Sequence, residues 1–155
     1  MQTLTILPGD SLERLKEIAS NSITEVVTDP PYELDLMDEA WDKTGIAFNL
    51  ELWREVFRVL KPGGKVKAFG HARTRHRLGQ ALDKAGFVDI LPKSWCYGSG
   101  MNKGSDVAKV IDRQLGHSTA KPWEPQSEEA KHWQGYHTGL KPAHEPILIA
   151  TKPFS

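Results

Sequence analysis

Apolar positions change period along this chain, and the changes mark its elements. "TLTILP" (3–8) is a short β-rich run, and the "GD" after it opens a helix with Ser11 as N-cap and Leu12, Leu15 and Ile18 on one face. "SITEVVT" (22–28) reads as a second strand that ends at Asp29. From Phe48 to Leu60 the positions Leu52, Trp53, Val56, Phe57, Val59 and Leu60 recur at helical spacing, and "KPGG" stops that helix sharply. "KVKAFG" (65–70) is a third strand. "RHRLGQALDKAG" (75–86) is a helix with Leu78, Ala81, Leu82 and Ala85 inward and Gly86 as its C-terminal stop. "FVDILPKSWCYG" (87–98) is a fourth strand, broken or bulged at Pro92. "PILIAT" (146–151) is a fifth, continuous in hydrophobicity like a centrally buried strand.

Strands alternating with helices predict an α/β domain with a mostly parallel sheet. Residues 98–139 lose clear periodicity around one short helix, "DVAKVIDRQLG". At 155 residues the chain has the length of a single domain, 1–155, with enough chain for a core.

Composition excludes several classes. The chain is 26% charged with a mean hydropathy of −0.47, and no apolar run approaches the roughly 20 residues of a membrane span. The N-terminus "MQTLTILPGD" has no basic flank or cleavage pattern, so the expected location is the cytoplasm. Cys96 is the single cysteine, which rules out a disulfide framework or a cysteine zinc site within one chain. The six histidines lack HExxH-type spacing, and no metal site is expected. A net charge of zero hides a split: −7 over residues 1–60, +8 over 61–121 and −1 over 122–155. A polyanion would find its footprint in the middle third; a solvated basic helix face is the plainer reading of the same charges.

The chemistry concentrates in "TDPPY" (28–32). Proline cannot donate to a sheet ladder, so the second strand must stop at Pro30-Pro31. In an open α/β sheet ligands bind beyond the carboxyl ends of strands, and both "TDPPY" and "AFGHARTR" sit at such an end. The exocyclic amine of adenine or cytosine is a poor nucleophile because its lone pair is delocalised into the ring. Methylating it calls for acceptors that draw off an amine hydrogen, and for a platform under the ring. Asp29 supplies a carboxylate acceptor and Pro30 a carbonyl; Pro31 stiffens the turn and Tyr32 offers a stacking face. A stiff turn at a strand end, without chemistry, is the alternative.

With those residues in place, the chain resembles the amino-methyltransferases of DNA, specifically the permuted beta-type group common in phages and prophages. The resemblance runs through "LPGDSLERLKEIASNSITEVVTDPPYELDLMDEAWD", "WREVFRVLKPGGKVKAFGHARTRHRL", "GFVDILPKSWCYGSGMNKGSDVAKVIDR" and "WQGYHTGLKPAHEPILIATKP", nearly the whole chain in order. It implies a Rossmann-like methyltransferase sheet and S-adenosyl-L-methionine as cofactor. The implied reaction is methylation of an exocyclic amine in double-stranded DNA, most typically adenine N6 for the Asp form of the motif. Asp29, Pro30, Pro31 and Tyr32 match its catalytic motif. Asp10 matches a cofactor-contacting position, with Asp29 beside the same cofactor; Asp10 could equally cap the helix after it. Lys141 and Glu145 match a "KPxxEP" block.

The basic middle fits a DNA partner. Arg73, Arg75, His76 and Arg77 follow the third strand, where phosphates flanking an extruded base would pass, and Lys103 lies in the segment the resemblance assigns to target recognition with Lys93, Lys109 and Arg113. Trp95, Tyr97, Trp123, Trp133 and Tyr136 could stack on bases, although core packing is the commoner fate of tryptophan.

The departure from the pattern is as informative. The family's glycine-rich cofactor loop and the acid that holds the ribose have no counterpart here, so the strands of the cofactor-loop half are expected to be absent from the sheet. "TLTILP" must then close up beside "TEVVT" or leave an edge for another chain. Three arrangements follow: strand rearrangement, a homodimer, or a second chain supplying the cofactor half. A catalytically incomplete module that binds DNA or such a partner is the alternative to a working enzyme. Another nucleotide-dependent α/β enzyme rests on fold class alone.

Overall fold

The computed structural model describes residues 3–34, 44–99, 104–139 and 143–154. The chain divides into two compact units, Met1–Trp95 with Glu145–Ser155, and Cys96–His144. The second unit contains the stretch whose periodicity fades in the sequence.

The larger unit is a four-stranded mixed sheet with helices. In chain order it has α1 (Ser11–Lys16), β1 (Ile23–Thr28), a 3₁₀ turn (Ile46–Phe48), α2 (Leu50–Val59), β2 (Leu60–Phe69), α3 (Arg75–Ala85), β3 (Val88–Cys96) and β4 (His144–Thr151). The strand order is β1-β2-β4-β3. β1 and β2 run parallel, joined through α2, whereas β4 is antiparallel to β2, with Val66 opposite Ala150 and Ala68 opposite Leu148. Those four residues bury against Trp53 and Val56 of α2 and Leu78, Ala81 and Leu82 of α3 to form the core. The expectation of a central "PILIAT" strand holds, and so does the inward face of α3, which Gly86 ends at φ 103.

Three expectations need correction. "TLTILP" forms no strand: residues 3–8 pair with nothing in the sheet, and Leu4 and Ile6 are 86% and 77% exposed. A β-rich sequence becomes a strand only where a ladder receives it, and none does so here. Pro92 does not break its strand. β3 runs through it because β3 lies at the sheet edge, where a missing N–H costs no ladder bond. The N-cap of α1 is Asp10 rather than Ser11: Asp10 is extended, and its Oδ1 accepts from the N–H groups of Leu12 (3.0 Å) and Glu13 (3.2 Å).

"KPGG" does end α2 at Val59, and it then forms an irregularity inside β2. Ile23 pairs with Leu60 but Glu25 with Lys65, so the register jumps across residues 61–64. A Cβ at Gly64 would lie 2.8 Å from the Lys61 carbonyl oxygen, which is why glycine stands there. Lys152 fastens this corner. Its Nζ donates to the carbonyls of Phe57 and Leu60 and to Asn21 Oδ1, each at 2.8 Å, and lies 4.7 Å from the centre of the Phe57 ring. A cation thus satisfies carbonyls at the C-terminal end of α2, where the helix dipole favours positive charge.

The smaller unit holds α4 (Val107–Gln114) and α5 (Glu128–His132). Asp112 of α4 is fully buried and accepts from Gln126 N–H (2.8 Å), Ser127 N–H (3.0 Å) and the Ser127 hydroxyl (2.8 Å). Burial alone pushes this carboxyl up, but the three hydrogen bonds, helped by the charge of His117, outweigh it and hold its pKa below the ordinary value.

Two outcomes follow. Lys152→Met, which keeps the stem and removes the ammonium, lowers the unfolding free energy by about 2 kcal/mol in urea titration; a loss below about 0.5 kcal/mol contradicts the bonding described. For Asp112, a folded pKa below the unfolded one means that stability is present above about pH 4 and is lost as pH falls through the folded value. Protection factors at Gln126 and Ser127, taken against the intrinsic exchange rate at the same pH, therefore fall in Asp112→Ala at pH 7 and in the native chain on acidification. Unchanged protection in the variant rules out the carboxylate as the clamp.

Candidate functional site

Because β1 and β2 are parallel, their carboxyl ends lie on one edge of the sheet. β1 stops at Thr28 and delivers Asp29-Pro30-Pro31-Tyr32; β2 stops at Phe69 and delivers Gly70-His71-Ala72-Arg73-Thr74 into the start of α3. The two segments meet there. The Thr74 hydroxyl donates to the carbonyl of Tyr32 at 3.0 Å, and the Tyr32 and His71 rings lie 6.2 Å apart at 36°. His71 Nδ1 accepts from the Arg73 N–H at 3.2 Å. Asp29 is exposed at the rim while Pro30, Pro31 and Tyr32 are half-buried. Just past the motif, Glu33 takes φ 54, a conformation uncommon outside glycine, and its carboxylate accepts from Thr44 Oγ1 at 3.3 Å.

Pro30, Pro31, Tyr32, Phe48, Phe69 and Thr74 line a crevice of about 10 Å³, roughly the space of one water molecule. Sites that enclose small molecules run from about 300 to 1,000 Å³. The crevice does not hold a nucleoside cofactor.

The cation cluster is where the sequence places it. Arg73, Arg75, His76 and Arg77 are all exposed at the beginning of α3, whose first turn carries no acid. Arg77 is partly committed, its guanidinium lying 4.3 Å from the centre of the Phe48 ring. Asp10 has one carboxylate oxygen occupied in capping α1. Lys103 and Lys141 lie outside the described residues, and Glu145 is half-buried at the start of β4.

The tryptophans divide. Among the described residues Trp53, which sequence periodicity places inward, is the core tryptophan, with Nε1 donating to the Ala47 carbonyl at 2.9 Å. Core packing does not hold for Trp95 and Trp133, which are 58% and 43% exposed. Trp95 stands beside Phe69, and Trp133 packs edge-on between His132 and Tyr136. Trp123 is half-buried with the Lys109 ammonium 5.6 Å from its ring centre, and Lys93 and Arg113 are exposed.

Sequence reasoning misses Thr74, His71 and Phe48. They lie within or near quoted segments, but no spacing rule marks a hydroxyl that reaches a carbonyl 42 residues away.

Comparison with known proteins agrees with this geometry. The DNA methylase family of the N6/N4 type matches residues 23–154, which spans every strand of the sheet and both segments of the site. The chain belongs to that family. A curated relative, the type II methyltransferase M.HinfI of Haemophilus influenzae, is 31% identical over 110 residues, covering 59% of this chain and 31% of the relative. TTHA0409 of Thermus thermophilus, solved with S-adenosyl-L-methionine, superposes with a TM-score of 0.53 at 24% identity over 94% of this chain and 51% of that one. The cytosine-N4-specific PvuII DNA methyltransferase gives a TM-score of 0.59 at 18% identity over 94% and 48%. The last two show the fold. This chain thus spans about half of each structure and a third of M.HinfI. The cofactor that the family implies is S-adenosyl-L-methionine, and the crevice at residues 30–32 is too small to enclose it.

Proposed function

We propose that this chain carries the base-binding side of a DNA amino-methyltransferase that acts on an exocyclic amine, adenine N6 in particular. The observation that carries the reading is the meeting of the 29–32 turn with the arginine-bearing loop at the carboxyl ends of β1 and β2. An extruded base would place its amine against the Asp29 carboxylate and the Pro30 carbonyl and its ring against Tyr32. Arg73, Arg75, His76 and Arg77 would take flanking phosphates, and Lys103, outside the described residues, is proposed as a further DNA contact. The smaller unit reads DNA in this proposal, with Trp133 and Tyr136 exposed for stacking. The enzyme works in the cytoplasm, where its double-stranded DNA substrate lies.

The methyl donor in this reading is S-adenosyl-L-methionine, held largely by polypeptide outside these 155 residues, with Asp10 and Asp29 at its margin. A second copy or a second chain that adds strands along β1 supplies that half. Three observations support this: the crevice is too small for the cofactor, β1 is an edge strand with Val27 63% exposed, and Leu4 and Ile6 are exposed and unpaired. The crevice size also favours a second reading, a module that binds DNA or a partner without turnover.

The test is methyl transfer from tritiated S-adenosyl-L-methionine to duplex DNA of mixed sequence, followed by digestion and separation of the nucleosides. The first reading expects N6-methyladenine, and a loss of about 100-fold or more in Asp29→Ala with DNA affinity kept. N4-methylcytosine would overturn the choice of base. DNA binding with no transfer, even with the candidate partner added, would leave the binding module.

A further inference from the structure

From the bond between the 70–74 loop and the catalytic turn, we infer that Thr74 is a positioning residue for the acceptor groups of Asp29 and Pro30. The inference rests on the reading of residues 29–32 as the turn that receives the base.

Thr74 occupies the N-cap position of α3, where a threonine hydroxyl ordinarily accepts from an N–H two or three residues on and contributes about 1 kcal/mol to its helix. Here it makes no such bond. Its hydroxyl donates instead to the Tyr32 carbonyl, across 42 residues of sequence. The start of α3 is served otherwise: the His71 carbonyl accepts from the N–H groups of Thr74 (3.0 Å) and Arg75 (2.8 Å). The hydroxyl is thus diverted from its helix to the turn.

What it fixes there is the end of the motif. Pro30 and Pro31 restrict their own φ, but neither ring restricts how the turn as a whole pivots on the end of β1. A bond at the Tyr32 carbonyl closes that freedom and ties the turn to the loop bearing Arg73 and Arg75. Phosphates bound by that loop and a base bound by the turn would then share one rigid frame. Reaction geometry tolerates little play, since about 1 Å of misplacement costs on the order of 100-fold in rate.

The test uses Thr74→Val and Thr74→Ser with two readouts. Incorporating 3-fluorotyrosine labels Tyr32, Tyr97 and Tyr136, the three tyrosines of the chain, and Tyr32→Phe assigns the first. Thr74→Val is expected to move or broaden the Tyr32 resonance and to lower the thermal midpoint by only about 2 to 4 °C, the loss of one hydrogen bond, because the hydroxyl caps no helix. In the transfer assay it is expected to lower kcat about 10-fold or more, with affinity for mixed-sequence duplex DNA within about 2-fold. Thr74→Ser restores both. An unmoved Tyr32 resonance in Thr74→Val, or no recovery in Thr74→Ser, overturns the inference. Should the native chain transfer no methyl group, the proposed reaction fails on that result, and the fluorine resonance alone decides Thr74 by the same two outcomes.

Discussion

Parallel pairing of β1 with β2 is the constraint from which the rest of the larger unit follows. Parallel strands need a crossover, and α2 provides it, burying Leu52, Trp53 and Val56 against the sheet on the way. The same parallelism brings the ends of both strands to one edge, so the segments bearing Asp29 and Arg73 meet although they lie far apart in the chain. Antiparallel pairing would have sent them to opposite ends of the sheet. Each device around this pair protects its alignment. The irregularity at residues 61–64 absorbs the extra residues in β2, and Lys152 closes the corner where α2 turns into β2. Arg58 donates to the carbonyls of Leu15 and Ile18 and so ties the α1 region to α2. The site is the far end of this frame.

The elements legible in the sequence were those whose partner lies nearby or whose period is strong. α2 and α3 carry apolar side chains at helical spacing with glycine or proline after them, and β4 is apolar throughout most of its length, so each could be read from one segment. The turn at residues 29–32 was legible because two prolines and an acid at a strand end are chemically unusual. What stayed hidden depends on where a segment lands. Residues 3–8 have strand composition without a ladder, and Pro92 looks like a break until β3 is known to be an edge. Thr74 is an ordinary N-cap by sequence, and only the fold brings the Tyr32 carbonyl within reach. The direction of β4 was likewise set by topology: an apolar run such as Ile147–Ala150 reads the same in either orientation.

The smaller unit illustrates the same division. Its helices show in the sequence at α4 and fade at α5, which has five residues. Its organisation comes from a buried acid rather than from periodicity. Asp112 accepts two backbone N–H groups and a hydroxyl from Gln126 and Ser127, fixing the segment that leads into α5, whose N-cap is Ser127 itself. One aspartate thus holds a loop and a helix start together, where an apolar residue could fill the space but satisfy none of those donors.

The two edges of the sheet are treated differently, and the difference bears on what this chain associates with. β3 carries Pro92 and Lys93 near its centre, a missing donor and a charge that both discourage another strand from adding. β1 carries no proline before Pro30. Its one charge, Glu25, is engaged by Lys67 at 2.7 Å, and Val27 stands exposed beyond it. An edge left open in this way is a liability in isolation and useful when a neighbour covers it. The unpaired Leu4 and Ile6 belong to a second apolar strand sequence in want of a ladder. A polypeptide that inserted strands beside β1 would pair that edge and could offer residues 3–8 a ladder of their own. The same addition would widen the crevice at residues 30–32 into a site with walls on two sides. Under the proposed function, completion of the sheet and completion of the cofactor site would be one event.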